Sequence, residues 1–104
     1  MRSDIPHALA DCYGFLDEEL DDESIAYIKA LPESDVVGAL HFSLGLWIRN
    51  NWLYHDAPKL AAELAETGAT HTDNQSSLIL LGYHRYLNGK DASLEAVART
   101  QAAQ

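Results

Sequence analysis

One cysteine, Cys12, stands in the 104 residues, which excludes an internal disulfide and any zinc site built from several thiolates. Basic residues are scarce. Seven Lys and Arg face sixteen Asp and Glu, for a net charge of −9, and no basic cluster breaks the excess, so binding to nucleic-acid phosphates or anionic lipid is not expected. Long apolar runs are missing too. The longest strictly aliphatic stretch, Leu78-Ile79-Leu80-Leu81, falls far short of the roughly 20 residues of a membrane span. The opening Met1-Arg2-Ser3-Asp4-Ile5-Pro6 turns acidic at once and has no apolar stretch with a small-residue cleavage site, so the expected location is cytoplasmic. Six glycines and three prolines are scattered; they make no phosphate-cradling loop, repeat or low-complexity linker.

What is present is the composition of one folded domain over residues 1–104, with 47% hydrophobic and 22% charged residues. A chain of this size hides roughly 65% of its unfolded surface, enough for a core without staples. Every segment reads as helix. A first helix is expected to start at Ser3 or Asp4 before Ile5-Pro6 and to carry Leu9, Cys12, Tyr13, Leu16 and Leu20, with Gly14 as a potential interruption. A second runs from about Asp22 to Leu31 and stops at Pro32. The third, capped by Ser34 or Asp35, has the longest stripe: Val37, Leu40, His41, Leu44, Ile48 and Trp52, with Leu46, Trp47 and Leu53 beside it. It is expected to be the central helix. Asp56-Ala57-Pro58 opens a fourth, closed by Gly68, and Thr72 or Asp73 caps a fifth that ends at Asn88-Gly89. Asp91 or Ser93 starts a last one with Leu94, Val97 and Ala98 inside. No run alternates with period two long enough for a sheet. The expected fold is an all-α compact single-domain bundle of five or six short helices.

The stretch Gly45-Leu46-Trp47-Ile48-Arg49-Asn50-Asn51-Trp52, then Gly68-Ala69-Thr70-His71-Thr72-Asp73 with Ser76 and Ser77, then Tyr83-His84-Arg85-Tyr86-Leu87, resembles a family of small bacterial helical domains of unknown function. The resemblance spans about residues 35–90 and implies a helical fold; it implies no activity. Read physically, Arg49 and Asn50 lie among Trp47, Ile48, Trp52 and Leu53, so their polar heads are expected to leave water and to need partners. Asp73 is the first candidate partner for Arg49. The arrangement is either a structural tie between the third and fifth helices or a pocket of His41, Trp47, Arg49, Asn50, Trp52 and Asp73, the alternative function then being that of a small-ligand-binding or minor enzymatic domain.

Other chemistry finds little support. None of the five histidines makes the helical His-x-x-x-His or Glu-x-x-His spacing of a metal site, so neither metal nor cofactor is expected. His41 is expected in the core, and His55 and His84 near the surface. His41-Phe42-Ser43-Leu44-Gly45 is half of a nucleophile elbow, but the elbow needs a preceding strand, and both flanks here read as helix. Cys12 and His7 would not share a helix face. The leading expectation is a protein without enzymatic activity.

The acids are unevenly spread. Residues 1–35 hold ten acids and two bases, a local charge of −8, and Asp17, Glu18, Glu19, Asp21, Asp22 and Glu23 place six carboxylates in seven positions. One continuous helix would set 17/21, 18/22 and 19/23 against each other, at a cost on the order of 1 kcal/mol. The run is then either a solvated helix junction or a negative surface for a basic protein partner, with Tyr13, Phe15 or Tyr27 as anchors. The functional expectation is a non-enzymatic module that binds and inhibits a basic, nucleic-acid-binding protein. Anti-CRISPR, anti-restriction and immunity proteins share its size and charge. A homodimer through an apolar helix face is the plainer alternative.

Overall fold

Leu78-Ile79-Leu80-Leu81-Gly82-Tyr83 offers no polar face, and a helix that is apolar all round must be covered all round. The computed structural model, which describes residues 5–54 and 58–104, shows that arrangement. Helix α6, Thr72–Leu87, is buried without a break from Gln75 to His84. Around it lie α1 (Leu9–Glu19), α2 (Asp22–Ala30), a 3-10 turn (Glu33–Asp35), α3 (Val36–Leu40), α4 (Leu44–Ile48), a π-helical turn (Arg49–Leu53), α5 (Pro58–Ala65) and α7 (Leu94–Ala102). Each of them packs on α6. The described residues contain no strand. The radius of gyration, 12.3 Å, is that of a compact chain of about 100 residues.

The helical class is as read from sequence; the helix count and the centre are not. Seven α-helices, not five or six, are present among the described residues. The single long third helix does not exist. It is broken at His41-Phe42-Ser43, where Ser43 N–H and Oγ both bond to Leu40 O, at 3.2 and 3.4 Å. Gly45 makes the bend compact: a Cβ there would stand 3.1 Å from Leu40 O and 3.2 Å from the Arg49 guanidinium. The centre of the bundle is therefore α6, because only α6 has apolar residues on every side.

Local signals explain most boundaries. Gly68 and Gly89 have φ of +94° and +71° and end α5 and α6, conformations that glycine adopts without strain. Ser93 caps α7 through Ala96 N–H, and Asp21 caps α2 through Ser24 N–H at 2.7 Å. His71, not Thr72 or Asp73, occupies the N-cap position of α6, and it makes no side-chain bond there. α1 begins at Leu9 and runs through Gly14, whose exposed face touches nothing. The expected starts at Ser3 or Asp4 and at Asp56-Ala57 lie outside the described residues.

One contiguous core joins Leu9, Leu16, Val36, Ile48, Leu60 and Leu64 to α6; each such side chain contributes about 1.5–3 kcal/mol when fully buried. Distant ends of the chain are tied together. Tyr13 OH donates to Ala92 O at 2.9 Å, Asn88 Nδ2 to Lys29 O at 3.1 Å, and Arg85 reaches Glu33 at 3.1 Å. Cys12 is fully buried, and that burial pushes its thiol far above the ordinary range, so it behaves as a small apolar group.

Candidate functional site

The acidic run resolves into a corner. α1 stops at Glu19, Leu20 is extended, and α2 starts after Asp21, so the repelling i,i+4 pairs of one continuous helix do not form. Asp22 and Glu23 occupy the first turn of α2, where the helix dipole favours acids, and both are exposed. Hydrogen bonds from Ser24 hold the Asp21 carboxyl below its usual range. Glu19 is half-buried and Glu18 exposed. Asp17 is turned to the chain itself, since one carboxylate oxygen accepts from Tyr83 OH at 2.8 Å and the other from Tyr86 OH at 2.9 Å. Those tyrosines stack with Tyr13, at centroid distances of 6.4 Å for Tyr83 and 5.2 Å for Tyr86. Of the expected anchors, Tyr13 and Phe15 are core residues and only Tyr27, 57% exposed, can meet a partner.

Beside this corner α2 stands away from α3 and α4. The gap is a cavity of about 470 Å³ lined by Leu20, Tyr27, Ile28, Leu40 and Leu44, with Glu23, Ser24 and Ser43 on its edge. A second cavity of about 180 Å³, lined by Glu19, Leu20, Leu44 and Trp47, shares two of these walls. Together they form one trough with an acid at each part of its lip. The turn that breaks the expected third helix supplies Ser43, and Phe42 in the same turn is 83% exposed.

Arg49 is 4% exposed, and all three guanidinium nitrogens point at atoms of the chain. Nη1 donates to Ser76 Oγ at 2.9 Å and to His41 Nδ1 at 3.5 Å; Nη2 donates to His41 O at 3.0 Å; Nε lies 3.5 Å from Asp73 Oδ1. Ser76 Oγ passes the chain on to Asp73 O at 3.0 Å. His41, Arg49 and Asp73 are thus brought together as a tie between the 41–43 turn, the π turn and the start of α6. His41 itself is half-buried, at the edge of the core and not within it, because the break in the helix carries it outward. Ile48, Arg49 and Trp52, spaced i,i+4 and i,i+3, share one helical face and are buried together; the segment closes as a π turn, Tyr54 N–H to Arg49 O at 2.7 Å. Asn50 is not part of the cluster: it is exposed with Asn51, on the side of the helix away from Ile48 and Trp52. Trp52 is buried and meets half-buried Trp47 edge to face at 5.4 Å.

His84 corrects a surface expectation. It is 3% exposed, and its Nε2–H donates to Leu31 O at 2.7 Å. Its Nδ1 has no hydrogen-bond partner among the described residues. The spacing Leu80, His84, Leu87 could have revealed it, since the three lie on one helical face. His55 lies outside the described residues. Among the described residues no group of three or more His, Cys, Asp or Glu is placed to hold a metal ion. No helix among them is long and apolar enough to cross a membrane. Ser43 Oγ, spent on Leu40 O, follows a helix and not a strand.

A family model described as a domain of unknown function (DUF6794) matches residues 5–87. The span begins well before the motif-bearing 35–90 region and takes in α1, the acidic corner and α2. No curated protein and no solved structure matches the chain.

Proposed function

The chain belongs to the DUF6794 family, and from that premise we propose that it is a non-enzymatic module that docks on a basic protein through the α1–α2 corner and inhibits it. The observation that carries this reading is the juxtaposition of exposed acids with uncovered apolar surface. Asp22 and Glu23 sit exposed at the head of α2, Glu19 and Glu23 edge the apolar trough, and Tyr27 stands exposed on the same helix. Acids steer a basic partner and set its association rate; apolar contacts then hold it. The first 35 residues carry nearly all of the net charge, so the field has a direction. Inhibition follows when the covered basic surface is the one its owner uses for nucleic acid.

Arg49 does not serve this surface. Its donors are directed at Ser76, His41 and Asp73, which supports the tie and not a ligand pocket.

The test begins with the immobilised protein in a lysate of the native host, washed in parallel at low and high salt, with retained proteins identified by mass spectrometry. Association of the retained protein is then measured for a Glu19→Gln, Asp22→Asn, Glu23→Gln variant. The expected result is slower association with a flatter salt dependence and an unchanged fold. Unchanged association in the variant overturns the proposal.

A further inference from the structure

We infer that the trough between α2 and α4 receives one face of a basic amphipathic helix. The inference rests on the docking reading above and specifies what enters the site. Three features carry it. The floor is apolar and built from side chains of three helices and one connector: Leu20 between α1 and α2, Ile28 on α2, Leu40 on α3, and Leu44 on α4. It is divided into two adjoining depressions, about 470 and 180 Å³, that share Leu20 and Leu44. Depressions in series suit apolar side chains that project from one face of a helix a turn, about 5.4 Å, apart. Each depression also has a carboxylate on its lip, Glu23 at the first and Glu19 at the second, and no lysine or arginine lines either.

Charge selects the occupant. A helix with Lys or Arg flanking its apolar stripe sets cations against Glu19 and Glu23 as the stripe enters. A second copy of this chain brings −9 of its own and sets acids against acids, which costs association free energy. Tyr27, a wall of the first depression, is 57% exposed and leaves an aromatic face for the occupant to cover.

The probe is a synthetic peptide about four turns long, with Leu at i, i+3, i+4 and i+7 and Lys elsewhere, compared with a peptide of the same composition whose order is shuffled to destroy the stripe. Trp47 lines the second depression and reports its filling by fluorescence; a Trp47→Phe variant identifies that part of the signal. The striped peptide is expected to bind at least about tenfold more tightly than the shuffled one, to perturb Trp47 emission, and to lose about tenfold on Tyr27→Ala or Leu44→Ser. Circular dichroism and thermal melting verify that each variant is folded, and Tyr27→Ala, at an exposed position, keeps the test valid if Leu44→Ser is not.

Equal binding of the two peptides, weakened equally by salt, overturns the helix inference and leaves the acidic docking surface standing. Failure of both at low salt overturns both readings. A concentration-dependent dimer in sedimentation that Tyr27→Asp dissociates gives the trough to a second copy and overturns the inference.

Discussion

Gly82 on α6 lies so close against Tyr13 on α1 that a Cβ at position 82 would overlap the Tyr13 hydroxyl and stand 2.9 Å from its Cζ. The phenol is fixed there by its bond to Ala92 O, 2.9 Å, and by the stacked tyrosines. Gly82→Ala is therefore expected to destabilise by about 1–3 kcal/mol through overpacking, although alanine is the better helix former. Tyr13→Phe alone should cost about 1 kcal/mol. Because Phe removes the overlapping oxygen, the double variant should lose less than the two single losses combined. Urea unfolding of the three variants checks this; full additivity would show that the two side chains do not compete for the space.

Replacing Arg49 tests the tie. Arg49→Met keeps the aliphatic stem but removes the donors to Ser76 Oγ and His41 O, and a loss of about 2–3 kcal/mol is expected. Arg49→Lys should recover little of it, since one ammonium cannot span acceptors arranged for a planar fork. Asp73→Asn, at a carboxylate 66% exposed, should cost less than about 1 kcal/mol. Denaturant midpoints measure all three.

Asp17 is separable from the other acids of its run. Asp17→Ala strands the hydroxyl of buried Tyr83, while that of Tyr86, 44% exposed, turns to water, and stability should fall by about 1–2 kcal/mol. Glu23→Gln, on the lip of the trough, should leave the melting temperature within about 2 °C of the parent and show its effect in association alone. Paired melting and binding measurements distinguish the two roles.

Alkali should unfold the protein through its tyrosines. Burial raises the Tyr13 and Tyr83 hydroxyls above the ordinary value of 10, and the bond to Asp17 raises Tyr86. A raised folded value means stability that is whole below pH 10 and declines as pH rises past it. Tyrosinate absorbance of these three should therefore appear together with loss of helical ellipticity. Ionisation of all three in a chain that stays helical would contradict the stack.

Acid acts on α2 with the opposite sign. The Asp21 carboxyl, lowered by its bonds from Ser24 below the ordinary 3.8, supports the cap fully above that value and loses this contribution as pH falls through the lowered one. Asp21→Asn, which still caps, should show a shallower decline of α2 helicity in acid than the parent. An identical decline, followed by amide exchange in α2, would mean that the cap charge is irrelevant.

Much of the fold is legible in the sequence, because local rules act locally. Gly68, Gly89, Pro32 and Ser93 stop, start or cap helices where their backbone chemistry requires. The break at residues 41–43 carries no such signal. His41 and Leu44 continue the helical period across it, and the bend is set by Leu40 O, Gly45 and Arg49 meeting in three dimensions. The all-round apolarity of residues 78–83 does announce the central helix, yet the longer stripe of residues 37–52 points elsewhere. The inward turn of Arg49 with Ile48 and Trp52, and the outward turn of Asn50, follow the 3.6 period and are legible in it; the π turn that closes the segment is not. The pairing of Arg49 with Asp73 is legible, since a buried guanidinium needs an acid. The hold of Tyr83 and Tyr86 on Asp17, and the trough, are tertiary products with no spacing to betray them.

The position of α6 has a consequence for the order in which the protein is made. The helix on which every other element packs is synthesised after α1 to α5, so those five leave the ribosome with apolar faces and nothing to place them on. At about 5–20 residues per second, they wait several seconds for residues 72–87 to emerge. Folding is then a late, collective event, and the nascent chain is most exposed to aggregation and to chaperones just before its own centre arrives.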